Sequence, residues 1–183
     1  RMVAAANLRD DPLRLLRAFR FAAALGFAVT PDTAAAIHSL AGEFERVAGE
    51  RVHQELFHLL AAPQAAPLLT DMDDAGLLCR ILPELADMKG VEQKGFHHLD
   101  VFGHTLAAVG YLEEVLAAPG RDFPECAPEI AAYAAIPPRP VLLKLAALYH
   151  DAGKPLVREE RTGPDRYTFY QHEKVGDELF GAA

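Results

Sequence analysis

The sequence has no tryptophan, only two cysteines and three methionines, and no run of about 18 apolar residues. Cys79 and Cys126 lack metal-type spacing, so neither a zinc ribbon nor a disulfide scaffold is available, and both read as ordinary thiols of a reducing compartment. Without a long apolar run, no helix is expected to span a membrane. A chain that opens on Arg1 with a charged helix start soon after is expected to carry no signal peptide and to be a fragment of something longer. The expected location is cytoplasmic. Basic residues are also scarce, with 18 Lys and Arg against 26 Asp and Glu, a net charge of −8. That balance argues against a broad nucleic-acid surface, so a polyanion has to meet a local basic patch. β-branched runs are few. What is present is 51% apolar residue content, heavy in Ala and Leu, over 183 residues. This is the composition of a helix-rich chain, long enough for one large domain or two small helical ones.

Helix starts and stops organise the first half. Asp11 is placed to cap a helix whose first position is Pro12, with Leu15, Leu16, Phe19, Ala22 and Ala23 on its apolar face and Gly26 as its stop. Arg14, Arg17 and Arg20 recur every third residue and form a basic stripe opposite that face. Thr30-Pro31-Asp32 caps a second helix to about Leu40. A third is expected from Gly49 to Leu60 with Val52, Leu56, Leu59 and Leu60 inward, and a fourth from Pro63 to Ala75, ended by Gly76. A short segment from Leu77 to Leu82 is stopped by Pro83. Residues 86–98 lack periodicity and read as a connector, dividing the chain into regions 1–85 and 86–183.

In the second region, Asp100 caps a long helix to about Ala118. Six prolines between positions 119 and 140 predict a loop there, with a short helix around Ile130–Ala135. Val141–Tyr149 is strongly apolar. Val157–Arg161 and Arg166–Tyr170 alternate around Thr162-Gly163-Pro164-Asp165, which predicts a small β-hairpin. A last helix starts near Gln171. The expected fold class is all-α, a helical neck and body followed by a helical domain with that hairpin.

The chemistry concentrates at Tyr149-His150-Asp151-Ala152-Gly153-Lys154. An imidazole nitrogen beside a hard carboxylate oxygen suits a divalent metal that activates water. His104 lies in a second apolar helix, and antiparallel pairing of the two helices brings it to the same place. Read alone, His150-Asp151 also fits a helix C-terminus, with the imidazole favoured by the dipole and Gly153 as the stop.

Together with His104 in Asp100-Val101-Phe102-Gly103-His104-Thr105-Leu106, these residues resemble the HD metal-dependent phosphohydrolases. The resemblance extends along the chain. Asp10-Asp11-Pro12-Leu13-Arg14-Leu15-Leu16-Arg17-Ala18-Phe19-Arg20-Phe21-Ala22 with Leu25-Gly26-Phe27, then Glu50-Arg51-Val52 with Glu55-Leu56, then Gly76-Leu77-Leu78 through Ile81-Leu82-Pro83-Glu84-Leu85, is similar to the class II tRNA nucleotidyltransferases. That family comprises CCA-adding enzymes and bacterial poly(A) polymerases, many with an appended HD region like residues 97–106 and 148–155. One departure is that Asp10 stands where the family usually has Glu. A larger one is that the family's catalytic head, with a Gly-Ser loop and an Asp-x-Asp pair holding two metal ions, has no match. No Gly-Ser pair occurs, and the acidic pairs are expected at helix starts or in loops.

The resemblance implies roles. Asp11 and Arg14, supported by Arg17 and with Arg51 as a nearby phosphate or structural contact, would read the base of ATP or CTP. The pair does not distinguish CCA addition from poly(A) addition. His104, His150 and Asp151 would be metal ligands, with a distal Asp expected beyond Ala183. His172 would be a further ligand or a solvent-facing residue, and Lys154 a phosphate neutraliser or a surface lysine. His97 and His98 would line the pocket, while His38, His53 and His58 read as structural. The implied cofactors are Mg²⁺ for the transferase of a parent protein and Zn²⁺, Mn²⁺, Ni²⁺ or Mg²⁺ at the HD site. The implied partner is tRNA or another RNA 3′ end. Two other readings stay open: a free-standing HD phosphohydrolase acting on nucleotides or cyclic phosphates, and a non-catalytic RNA-binding scaffold. The sequence sets no oligomeric state.

Overall fold

Apolar periodicity of 3.6 residues dominates the architecture, and the computed structural model, which describes residues 5–93, 99–161 and 167–182, is all-α apart from one two-stranded hairpin. The chain divides into two compact units, Arg1–Ile81 and Leu82–Ala183.

The first unit holds α1 (Ala5–Asp10), α2 (Leu13–Leu25), α3 (Pro31–Leu40), a 3-10 helix (Ala41–Arg46), α4 (Gly49–Leu60), α5 (Ala66–Asp74) and α6 (Leu78–Ile81). Helix α2 packs chiefly on α4, and also on α1, α5 and the 3-10 helix. The core between them is built from Leu13, Leu15, Leu16, Phe19, Ile37, Leu56, Leu59, Leu60, Leu69 and Met72, all fully buried. Each such side chain contributes about 1.5–3 kcal/mol by leaving water. Gly26 ends α2 in the left-handed conformation, φ +65°, and its N–H closes back on the Ala22 carbonyl, which a Cβ-bearing residue would resist.

Four expectations for this unit need correction. Pro12 rather than Asp11 occupies the N-cap of α2, and no side chain caps that helix, so the Asp11 carboxylate is left for other contacts. Helix α5 begins at Ala66, not Pro63, and Val52 is only half-buried while Glu55 is buried. Asp71-Met72-Asp73 has the Asp-x-Asp spacing but lies in the last turn of α5, not at a helix start or in a loop. On a helix, residues two apart do not face one another, and here Met72 between them is fully buried, so the two carboxylates do not form a shared site.

The second unit opens with a 3-10 helix (Pro83–Met88) that buries Leu85 and Met88, and its last three residues fall in the stretch 86–98 expected to be a connector. It continues with α7 (Val101–Ala117), α8 (Pro119–Asp122), α9 (Ala127–Ala134), α10 (Arg139–Tyr149), α11 (Lys154–Val157), strands β1 (Glu159–Glu160) and β2 (Tyr167–Thr168), and α12 (His172–Ala182). Asp100 caps α7, its Oδ1 accepting the Gly103 N–H at 2.7 Å, while its Oδ2 accepts the Gly90 N–H at 2.6 Å. Helices α7 and α10 pack closely and antiparallel: Glu113 bonds Lys144 at one level, and His104 faces His150 at the other.

The proline-rich stretch is more helical than expected. Pro119, Pro128 and Pro140 sit in the first turns of α8, α9 and α10, where the missing N–H costs nothing. The hairpin is antiparallel, pairing Glu159 with Thr168 and Glu160 with Tyr167, but each strand has two residues, and Val157 ends α11 instead of starting a strand. The expected turn at 162–165 and His97 and His98 lie outside the described residues. No described helix is long and apolar enough to cross a membrane.

Candidate functional sites

In the first unit, Asp11 lies at the junction of α1 and α2, and three guanidinium groups approach its carboxylate. Arg51 of α4 comes within 3.5 Å of Oδ1, and Arg14 and Arg17 of α2 each come within 3.9 Å of Oδ2. The structure therefore brings together Asp11, Arg14, Arg17 and Arg51. All these separations exceed the 2.7–2.9 Å of a tight charge-assisted hydrogen bond, so the carboxylate keeps lone pairs to offer.

Arg17 is anchored elsewhere. Its Nε donates to Glu55 Oε1 at 2.7 Å, and Arg20 pairs with the other oxygen of the same carboxylate. The Glu55 hydrogen bond holds the Arg17 guanidinium more firmly charged. Arg14 donates to the Asn7 carbonyl at 2.8 Å, which fixes its direction. The basic stripe thus turns from exposed at Arg14 to half-buried at Arg20, tracking toward α4 and not opposite the apolar face. Sequence reasoning missed Glu55 as the anchor; its place among the inward positions of α4 was the available signal. His38, His53 and His58 are exposed and stand apart from this cluster.

In the second unit, Asp151 is buried at the end of α10, and three partly exposed imidazoles surround it. Its Oδ2 lies 3.2 Å from His150 Nε2, 3.7 Å from His104 Nε2 and 2.6 Å from Lys154 Nζ, while Oδ1 lies 3.5 Å from His172 Nε2. His104, His150 and Asp151 offer ligand atoms that all fall within 4.8 Å of one another. Tetrahedral ligands of one ion at bond lengths near 2.1 Å stand about 3.4 Å apart, so side-chain movements totalling up to about 1.4 Å bring the trio onto a shared cation. His172 faces the opposite carboxylate oxygen and lies outside that trio.

The donor chemistry fits a metal. His150 Nδ1 and His172 Nδ1 each lie 2.7 Å from a backbone carbonyl, those of Ala147 and Phe169. A carbonyl only accepts, so each Nδ1 carries the proton and each Nε2 directs a lone pair at Asp151 when the ring is neutral. Facing lone pairs repel unless a proton or a cation stands between them. For His150 a proton is favoured there: the Asp151 hydrogen bond raises its pKa above the ordinary value, against the effect of burial. Burial pushes the Asp151 carboxyl up, but hydrogen bonds from His150 and Lys154 outweigh it and bring the pKa down to about 2.

Lys154 is not a surface lysine. Its ammonium is mostly buried and donates to both Asp151 and Gln93 Oε1, the latter at 2.7 Å. Gly153 reads in the sequence as the stop of the helix carrying His150, but α10 ends at Tyr149 and Gly153, at φ −77° and ψ −16°, leads into α11. Its place is dictated by a neighbour, since a Cβ there would collide with the His172 carbonyl and stand 2.8 Å from the Gly176 N. Close backbone approach of α12 is what delivers His172 to Asp151, helped by a left-handed Gln171 at φ +64° just before the helix. Gln93 and the Gly153–Gly176 contact left no periodic signal in the sequence.

An all-α chain with an arginine–carboxylate cluster in one unit and a histidine–aspartate cluster in the other narrows the class to helical proteins that carry an HD-type domain. Two family models match accordingly. "Probable RNA and SrmB- binding site of polymerase A" covers residues 26–89, and "HD domain" covers residues 101–182. The chain is 39% identical to the A-adding tRNA nucleotidyltransferase of Deinococcus radiodurans, over 98% of this chain and 38% of that protein. It is 38% identical to the CC-adding tRNA nucleotidyltransferase of Thermus thermophilus, over 97% of this chain and 37% of that protein. It is 36% identical to the Multifunctional CCA protein of Xanthomonas campestris, over 83% of this chain and 34% of that protein. The chain belongs to the tRNA nucleotidyltransferase and poly(A) polymerase family, matching its neck, body and HD region. It spans less than two fifths of the length of these relatives.

Proposed function

We propose that the chain is the base-reading, RNA-binding and HD part of an RNA 3′-end nucleotidyltransferase, a CCA-adding or poly(A)-adding enzyme of the cytoplasm. The observation that carries this reading is the set of three arginines around the partly accessible Asp11 carboxylate, in a chain whose relatives are named for adding nucleotides to tRNA. Asp11 accepts from the exocyclic amine of adenine or cytosine, and Arg14 donates to the ring nitrogen or carbonyl beside it. Both bases carry an amine next to an acceptor, whereas guanine and uracil present a carbonyl where the amine is needed. Arg17, tethered by Glu55, holds Asp11 in place, and Arg51 is free at its outer end to meet a phosphate. The chain contributes binding and orientation. By itself it is expected to transfer no nucleotide, because it has no Gly-Ser loop and no paired metal-binding carboxylates suited to that reaction.

In the HD unit, His104, His150 and Asp151 would hold a divalent cation, with His172 at the second oxygen of Asp151. The imidazole-rich donor set suits Zn²⁺ or Ni²⁺ better than Mg²⁺. Such an ion supplies polarisation of a phosphoryl oxygen and activation of water. Asp151, kept ionised by His150 and Lys154, is ready to bind it at neutral pH, and Lys154 adds a positive charge beside a phosphoester.

The test uses the nucleotidyltransferase that carries this chain. Asp11→Ala or Arg14→Ala is expected to erode preference for ATP and CTP over GTP and UTP by about 1–3 kcal/mol, the cost of leaving one partner unmatched against a base edge. Variants that keep wild-type nucleotide preference would refute the base-reading role.

A further inference from the structure

Gln93 lies between the 3-10 helix and α7 and is 9% exposed. Its Oε1 accepts the Lys154 ammonium at 2.7 Å. An ammonium has donors only, so the amide must turn its oxygen to Lys154 and its nitrogen elsewhere. That nitrogen, Nε2, is buried and has no hydrogen-bond partner. Two amide protons are therefore unmatched beside a lysine that itself touches Asp151 at 2.6 Å. A buried donor in this state is costly, and beside a cluster of charged groups it calls for a partner from outside the chain. The ligand must bring an acceptor. The flanking Lys154 ammonium, and the cation for which the His104–His150–Asp151 trio is fitted, require that acceptor to be anionic.

We propose that Gln93 Nε2 is an oxyanion donor of the HD cluster, which together with Lys154 holds the non-bridging oxygens of a phosphoester. This rests on the HD reading above and adds the residue that selects a phosphate. Gln93 is a binding residue here: it neither ligates the metal nor moves a proton. Its oxygen keeps Lys154 in place while its nitrogen addresses the ligand.

The test is calorimetric titration of inorganic phosphate into the 183-residue chain, metal-free and with saturating Mn²⁺, for wild type, Gln93→Glu and Gln93→Met. Gln93→Glu keeps the acceptor for Lys154 and removes the donor, and Gln93→Met removes both at similar volume. Both variants, checked for folding by thermal melting, are expected to bind phosphate about tenfold more weakly. Gln93→Glu should bind Mn²⁺ at least as tightly as wild type. In ¹⁵N-labelled wild type, the Gln93 side-chain amide resonances should shift on phosphate addition. A folded variant that binds phosphate as wild type does, an unmoved Gln93 amide at saturating phosphate, or a wild-type chain that binds no phosphate in either arm overturns the proposal. Failure of wild type to bind Mn²⁺ would instead defeat the metal reading, and the metal-free arm would then decide the role of Gln93 alone.

Discussion

Gly153→Ala isolates the effect of a single methyl group. The backbone at Gly153 lies in the ordinary helical region, φ −77°, so alanine meets no conformational penalty there. Any loss has to come from space. The added Cβ would stand 2.8 Å from the Gly176 N, against 3.4 Å or more for an ordinary contact, and closer still to the His172 carbonyl. Helix α12 must retreat by at least about 0.6 Å on the first contact alone and by more on the second. His172 begins that helix, and its Nε2 already stands 3.5 Å from Asp151 Oδ1, so it leaves the cluster. Overpacking of this kind costs about 1–3 kcal/mol. For a unit of roughly a hundred residues that is a fall in melting temperature of about 4–8 °C per kcal/mol. The assay is a melt of the 183-residue chain with and without Zn²⁺. The stabilisation by metal should shrink but persist, because His104, His150 and Asp151 do not depend on α12. An alanine variant with wild-type melting and wild-type metal stabilisation would refute the close-approach argument.

Glu55→Ala should destabilise the first unit by about 2–4 kcal/mol, since it strips the shared partner from Arg17 and Arg20; chemical denaturation measures it, and Glu55→Gln should recover part of the loss. Lys144→Met should cost about 3–5 kcal/mol by taking the ammonium from the buried Glu113 carboxylate, while the double variant Lys144→Met/Glu113→Leu should unfold at a urea concentration close to wild type. The metal-free chain should show two pH limbs. His150, with its pKa raised by Asp151, contributes stability that is full below its ordinary value of 6.5 and is lost as pH rises through the raised one. Asp151 contributes stability present above its ordinary value of 3.8 and lost as pH falls toward about 2. Urea midpoints across that range check both limbs, and His150→Gln should flatten the upper one.

Helices α3, α4 and α7 were legible because apolar spacing agrees with their starting residues, Pro31 at the first position of α3, Gly49 opening α4 and Asp100 capping α7. Where signals conflict, the reading fails. Prolines 119, 128 and 140 read as breakers by composition, yet each sits where a helix needs no N–H. Asp11 has the side chain of a cap, but the short α1 ahead of it and the arginines around it draw the carboxylate into a different role. The histidine–aspartate cluster was foreseeable because two of its members are adjacent in sequence and the third lies on the helix antiparallel to theirs. Gln93, Glu55 and the Gly153–Gly176 contact were not. Each depends on which backbone passes close by in three dimensions, and neither hydropathy nor spacing encodes that.

The two hydrogen bonds of Asp100 have a further consequence. One carboxylate fastens both Gly103 at the start of α7 and Gly90 ten residues earlier, and the Val101 N–H reaches the Val91 carbonyl at 3.0 Å beside it. The Gly90–Val91 backbone is thereby tied to the first turn of α7, the same turn that carries His104. One carboxylate thus holds a metal-ligand candidate in place without touching it. Asp100→Ala would release Gly90 and Gly103 together, at about 0.5–2 kcal/mol for the lost cap, and loosen the end of α7 on which His104 stands.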